Sequence, residues 1–350
     1  MKDSDWNGIG FALGAALLFG ASTPVAKLLV GAVDPVLLAG IMYLGAGLGL
    51  MAYHLARHVI GHAMAEAPLR RLDLPWLAAI IVSGGILGPV LLMLGLARTT
   101  ASVASLLLNL ESIATMAIAW LIFRENVDRR LLMGAGAIVA GAVLLTWQGS
   151  GFNLDFGGLL IIGACLSWGI DNNLTRKLSA ADPVQIAMIK GLAAGAINIA
   201  AAFALSATLP SSTAITAGAI TGFLGIGVSL VFFMLGLRHL GTARTGAYFS
   251  LAPFAGALLA FAFLGDALSP QLAIAAALMG LGLWLHLAER HDHDHTHEEI
   301  VHEHRHAHDD HHTHAHEGDV SEPHSHLHRH APMRHKHPHY PDLHHRHRHP

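Results

Sequence analysis

The chain has 350 residues, 53% apolar and only 13% charged, with a mean hydropathy of +0.48, whereas soluble domains run near 25% charged, so the composition argues against a water-soluble globule. Its net charge of −3 hides a break, because residues 291–350 hold 23 of the 28 histidines, 11 acidic, 6 basic and 10 apolar residues, leaving +2 on the body (15 basic minus 13 acidic) and −5 on the tail. Neither part has the basic, aromatic-interleaved character of a nucleic-acid binder, and the lone Cys165, inside an apolar run, forbids an intramolecular disulfide or a thiolate cluster within one chain.

A bilayer core takes roughly 20 apolar residues of helix. The first apolar run, Gly8 to Val30, lacks a small-x-small cleavage site followed by a soluble domain and is read as a span, not as a cleaved signal peptide. Ten spans are predicted in chain order, over 8–29, 36–54, 75–96, 100–123, 130–148, 157–177, 184–205, 216–237, 243–264 and 270–288. Glycine is plentiful in them, which suits close helix packing in lipid.

Short cytoplasmic loops retain positive charge. With the N-terminus inside, the inner ends hold Lys2, Arg57, Arg70, Arg71, Arg124, Arg129, Arg130, Arg176, Lys177, Arg238, Arg244 and Arg290, and the outer ends only Lys27 and Arg98. That imbalance places both termini in the cytoplasm and the protein, as a multi-pass chain, in the inner (plasma) membrane.

The body reads as a duplication. At an offset of 141, Leu94-Gly95-Leu96 falls on Leu235-Gly236-Leu237 and Glu125 on Asp266. At 148 or 149, Gly20 falls on Gly169, Lys27 on Arg176, and Asp34-Pro35-Val36 on Asp182-Pro183-Val184. The expected class is an all-α integral membrane protein of ten transmembrane helices in two five-helix repeats, with a disordered tail. Its parts are a short N-terminus (1–7), a first repeat (8–148), an external linker (149–156), a second repeat (157–288) and the tail (289–350). Five spans per repeat is an odd number, so the second enters the membrane inverted. Inverted repeats usually hold a transported solute between the halves and expose it to each side in turn; the plainer alternative is a duplicated scaffold.

The first-span stretch Gly14-Ala-Ala-Leu-Leu-Phe-Gly-Ala-Ser-Thr-Pro24, the run Leu94-Gly-Leu-Ala-Arg-Thr-Thr-Ala-Ser-Val103 through Phe123-Arg-Glu125, and their counterparts Leu235-Gly-Leu237 and Leu264-Gly-Asp266 resemble the EamA-type family of the drug/metabolite transporter superfamily. The likeness covers about residues 8–288. It implies a ten-span transporter and leaves the solute open, since members carry amino acids, metabolites, nucleotide sugars or drugs. The aspartate at 266 stands where the family usually has glutamate, and the tail lies outside the likeness.

Ionisable groups at bilayer depth cost roughly 2.5–3.5 kcal/mol on insertion scales, which makes each a candidate for function. Glu111, near the middle of span four with Asn109 two positions before it, is suited to taking up and releasing a proton; the alternative is a carboxyl hydrogen-bonded between helices. Its repeat counterpart is Ala252. Span six carries Trp168, Asp171, Asn172 and Asn173 in a run too polar to face lipid. Asp171 and Lys190 sit at matched depth on consecutive antiparallel helices, where they make either a structural pair or a clamp on a charged solute. Tyr248 of span nine completes the candidate set. Lys27 reads mainly as a headgroup anchor, and Pro24, Pro89 and Pro253 as bends at a cavity or simple packing kinks. His54, His58 and His62, spaced by four, form a weaker metal candidate beside a solvated helix end.

The tail repeats a histidine-x-histidine pattern. Its candidate metal ligands are His291, His293, His295 and His297, then His302, His304, His306 and His308, then His311, His312, His314 and His316. These are followed by His324, His326, His328 and His330, by His335, His337 and His339, and by His344, His345, His347 and His349. Imidazole binds zinc, nickel, cobalt and copper. Metal capture, a pH-driven charge switch and a tolerated low-complexity extension remain open as readings.

The body thus points to a secondary transporter, an exporter, of a small solute or metabolite by alternating access coupled to protons. No phosphate-cradling loop ending in Lys-Ser/Thr is present, no nucleophile–base spacing supports an enzyme, and the body calls for no cofactor. The second reading is transport of a divalent metal such as zinc, nickel or cobalt, or transport regulated by metal with the tail as sensor or buffer. Expected partners are a small-molecule solute, the lipid bilayer and, at the tail, metal ions, with no nucleic acid; a homodimer is admitted.

Overall fold

The computed structural model describes residues 3–59, 69, 71–122, 129–147, 156–175, 178, 182–287, 292–297, 300–306, 324–330 and 333–338. The body is helical throughout these residues. In chain order its helices are α1 (Asp3–Val30), α2 (Pro35–Val59), α3 (Leu74–Ile80), α4 (Gly88–Leu96), α5 (Ala101–Leu107), α6 (Leu110–Leu121), α7 (Arg129–Thr146), α8 (Phe156–Thr175), α9 (Pro183–Ala204), α10 (Ser212–Gly222), α11 (Ser229–Phe249), α12 (Ala252–Leu264) and α13 (Pro270–Leu287). Among the described residues seven helical stretches are long and apolar enough to cross a membrane: Asn7–Val30, Pro35–Val59, Arg71–Leu96, Ala101–Leu121, Arg129–Thr146, Val184–Ala204 and Ser212–Gly236. Two shorter apolar helices, Ala252–Leu264 and Pro270–Leu285, follow them. Large apolar side chains such as Leu28, Leu121, Leu258, Phe263 and Trp284 stay exposed, as a lipid-facing surface requires.

The sequence motif shared by the two halves explains how two helices begin. The side chain of Asp34 accepts from the backbone N–H of Val36 and Leu37 at 2.9 and 3.0 Å, and that of Asp182 accepts from Val184 at 2.8 Å. Each aspartate caps a helix whose first residue is proline, a position where no N–H is missed.

Several spans are interrupted, at matching places in the two halves. A π-helical segment, Ile81–Leu87, separates α3 from α4, and a second, Phe223–Val228, separates α10 from α11. A two-residue turn at 108–109 divides α5 from α6, and another at 250–251 divides α11 from α12. Shifted by 141, the first member of each pair lands on the second to within a residue or two. Pro89 and Pro253 lie in the first turn of the helix that follows an interruption, so both restart a helix, whereas Pro24 lies inside α1.

Packing follows the same pseudo-symmetry. Helix α1 packs on α11 and α12, and its counterpart α8 packs on α4 and α6. Helix α2 packs on α10 and the second π-helical segment, while α9 packs on α3 and the first. The self-matched pairs α2–α9 and α7–α13 join the halves. Between α2 and α9 the backbones approach so closely that a Cβ on residue 191 would lie 2.8 Å from the Gly47 Cα, the small-residue contact that membrane helices favour. Buried side chains of both halves, including Leu38, Leu96, Leu107, Ile161 and Met279, make one continuous core.

One expected boundary is corrected. The break expected at 238–242 is absent, because α11 runs unbroken from Ser229 to Phe249. Arginine, leucine and alanine are good helix formers, and a single glycine in the helix interior costs only about 1 kcal/mol. The described residues of the tail include four strands: β1 (Asp292–His297), β2 (Ile300–His306), β3 (His324–His330) and β4 (Met333–Pro338). They pair antiparallel, β1 with β4 and β2 with β3. Histidine-x-histidine is a period-two pattern, which is the period of a strand.

Candidate functional site

The polar run of α8 reaches two neighbouring elements, α9 and α6, through consecutive residues. Asp171 is buried, at 6% exposure, and its Oδ2 lies 2.5 Å from Lys190 Nζ on α9. One residue on, Asn172 Nδ2 donates to Glu111 Oε1 at 3.0 Å and to Thr115 Oγ1 at 3.1 Å, both on α6. Asn173 Nδ2 donates to the backbone oxygens of Thr115 and Gly169, at 3.0 and 2.8 Å. Ile170, on the outer side of the same turn, is 45% exposed. Polar residues spaced in this way gather on the protein side of α8 and leave its apolar side outward.

The first π-helical segment forms the floor beside Asp171. A π-turn departs from the α-helical hydrogen-bond ladder, and here its carbonyls are met by side chains. The Gly84 oxygen accepts from Tyr43 Oη at 2.8 Å and from Trp168 Nε1 at 3.0 Å, and the Gly85 oxygen accepts from Asn198 Nδ2 at 3.1 Å. Spans two, three, six and seven are thereby joined. Residue 84 must lack a side chain, because a Cβ there would overlap the Asp171 carboxyl group.

Of the residues singled out from the sequence, Trp168, Asp171, Asn172, Asn173, Lys190 and Glu111 belong to this connected network. Asn109 does not join it: Nδ2 turns back to the Leu106 oxygen at 2.8 Å and reaches Met279 Sδ at 3.9 Å. At the break at 108–109 the Leu106 oxygen accepts both the backbone N–H of Asn109, at 3.1 Å, and its side-chain amide. Tyr248, half-buried near the end of α11, has no hydrogen bond to the network among the described residues. Tyr43 and Asn198 were missed; each is a polar side chain within an apolar span, the signal that drew attention to Glu111. Lys27 Nζ donates to the Leu96 oxygen at 2.5 Å, binding α1 to the end of α4 instead of anchoring at a headgroup, since terminal helix carbonyls lack partners. Asp266 Oδ2 accepts from the Ser102 N–H at 2.8 Å, which places a carboxylate at the start of α5. Its repeat counterpart Glu125, and His62, lie outside the described residues.

The ion pair has uncharged counterparts. At the offsets of the duplication, Asp171 corresponds to Ser22, Lys190 to Met42 and Gly84 to Gly225. Gly225 meets Ser22 as Gly84 meets Asp171: a Cβ on residue 225 would lie 2.5 Å from Ser22 Cβ. Packing at this crossing therefore proceeds without charge in one half and carries a buried ion pair in the other. Glu111 is likewise matched by an apolar residue, Ala252. Among the described residues no three histidine, cysteine, aspartate or glutamate side chains gather to hold a metal ion.

Comparison with known proteins agrees with the repeat. The pattern of the EamA-like transporter family matches residues 6–147 and again 155–288. An uncharacterized transporter of Methanothermobacter thermautotrophicus is 28% identical over 285 residues, covering 76% of this chain and 81% of its own. The inner membrane transporter YedA of Escherichia coli K12, also uncharacterized, is 23% identical over 266 residues, covering 72% of this chain and 81% of its own. One solved crystal structure superposes with a TM-score of 0.58 at 20% identity, covering 81% of this chain and 95% of that one, a likeness of fold.

Proposed function

The chain belongs to the EamA-like transporter family, and on that premise we propose that it is a ten-span secondary transporter of the inner membrane that exports a small organic solute by alternating access, coupled to protons. The observation that carries this reading is the part-buried cluster of Glu111, Asn172, Asp171 and Lys190, set among helix interruptions where the two repeats meet. Discontinuous helices at a repeat interface are where transporters of this architecture place their solute and coupling-ion sites. Glu111 is the proton carrier: it is the network carboxylate without a cationic partner among the described residues, and Asn172 holds it by a donor that serves the charged form. Asp171 and Lys190 present a charge of each sign to the solute, so a polar solute with an ionised group is the class that fits.

The reading is tested in reconstituted vesicles that contain a pH-reporting dye, challenged with a panel of small solutes. Solutes that the parent carries should drive proton flux. Glu111→Gln should keep solute exchange at equilibrium and lose at least tenfold of the solute-driven flux. Undiminished proton flux through the variant would remove Glu111 from the mechanism, and a parent that moves no solute of the panel would count against transport of that class.

A further inference from the structure

Helix α12 has no polar side chain between Ala252 and Leu264, and it packs on α1 and α5 of the other half. Contact there is backbone against small residues. A Cβ on residue 256 would meet the Gly20 oxygen at 2.7 Å and Ser105 Oγ at 2.8 Å, and one on residue 20 would collide with the Ala252 oxygen. The counterpart α6 is held differently, because Asn172 and Asn173 of α8 donate to Glu111 and Thr115 at 3.0–3.1 Å. One of two corresponding helices is therefore fastened to its neighbour by side chains, and the other is held at depth by packing. The polar tie of the α12 segment lies just past its end. Gly265 stops the helix at a φ of 71°, a conformation that favours glycine. The next residue, Asp266, then accepts the Ser102 N–H of α5 at 2.8 Å, a bond of the strong, charge-assisted kind. At its other end α12 follows the turn at 250–251, where the Leu251 N–H reaches back only to the Tyr248 oxygen, at 3.2 Å. Within the seam, Ser105 Oγ is buried without a hydrogen-bond partner among the described residues, a group that water would satisfy if the seam opened.

We propose that α12 is the outer gate of the transport path: it swings about the break at 250–251, and the clasp of Asp266 on α5 holds it shut. The proposal rests on the transporter reading and on the orientation that sets residue 266 at the external face. Movement of a whole element about a few residues at its end is the hinge class of closure. A 13-residue arm with a break at one end and a single clasp at the other has the parts for such a swing. Shut, α12 covers Ser105. Open, it admits water along α5 towards the break at 108–109, beyond which Glu111 lies on α6. The Leu264-Gly-Asp266 motif thereby acquires a role: glycine ends the arm and aspartate fastens it.

The test uses the full-length protein carrying Cys165→Ala and Ser105→Cys, in sealed right-side-out vesicles, with a membrane-impermeant maleimide added outside. Labelling at position 105 should be slow with Asp266 in place and at least tenfold faster with Asp266→Ala. Asp266→Asn, which keeps an acceptor and loses the charge, should fall between them. Equal rates in all three, or an acceleration confined to inverted vesicles, would overturn the outer gate. Labelling needs no transported solute, so that failure would leave the transport reading standing. A second measurement does not touch residue 105. Ser102→Cys with Asp266→Cys, in the Cys165→Ala background and joined by an oxidant, should lose at least tenfold of the solute-driven proton flux and regain it on reduction. Undiminished flux through the joined protein would equally overturn the gate, since α12 could then not need to leave α5.

Discussion

At the scale of single residues, the network depends on one position that has no side chain. Gly84 lets the Asp171 carboxylate rest against the first π-helical segment while its own oxygen holds Tyr43 and Trp168. A methyl group at 84 would have to displace either a buried ion pair or the backbone of span three. Gly84→Ala is therefore expected to reduce transport at least tenfold. Gly10→Ala and Gly136→Ala, where an added Cβ meets nothing within 4 Å, should leave it unchanged. Solute uptake into vesicles, normalised to the amount of folded protein, makes the comparison. Full activity of Gly84→Ala would mean that Asp171 is not held where the structure places it. Asp171, Lys190 and Glu111 could be read from the sequence because charge at bilayer depth is costly enough to need a reason. Gly84 could not, because it stands among many glycines and its importance comes from a neighbour 87 positions away.

At the scale of elements, the interruptions of spans three and four govern the site's shape. The Gly84 oxygen is shared by two donors from different spans, so losing one leaves the other in place. A typical hydrogen bond contributes about 0.5–1.5 kcal/mol, whereas a buried acceptor left with none costs roughly 1–3 kcal/mol. Tyr43→Phe and Trp168→Phe should each lower thermal stability modestly, and the double variant should lose more than the sum of the two. Unfolding in detergent, followed by intrinsic fluorescence or calorimetry, would measure this; strict additivity would mean that the carbonyl does not depend on the pair. Span positions were legible because some 20 apolar residues bounded by charge are a strong signal. The π-helical segments and the turns at 108–109 and 250–251 were not, since leucine, isoleucine, serine and glycine fill them as they fill ordinary membrane helix, and tertiary contacts decide the hydrogen-bond pattern. The same limit misplaced the boundary between the eighth and ninth spans, where arginines interrupt apolarity without ending the helix.

At the scale of the whole molecule, the duplication separates what the fold needs from what has been added to it. Two halves with corresponding breaks and corresponding packing give each contact an internal control, which was available from the sequence as soon as the offsets of 141 and 148–149 were seen. The control says that a helix crossing of this shape closes with Ser22 against Gly225, so the Asp171–Lys190 pair is not required for closure. Removing one member of a buried pair typically costs 3–5 kcal/mol, because the other charge is left without a partner, while replacing both by groups of suitable shape can be neutral. Copying the first half into the second, Asp171→Ser together with Lys190→Met, should therefore give a protein that unfolds within about 3 °C of the parent, while each single change is markedly less stable. Transport should fall at least tenfold in the double variant despite its stability, because a site that presents both signs of charge has become neutral. A double variant that still carries the parent's solute at the parent's rate would assign the pair to structure alone. One less stable than both single variants would mean that the contact between the halves differs in kind from its counterpart, and that symmetry is not a guide to function at this crossing.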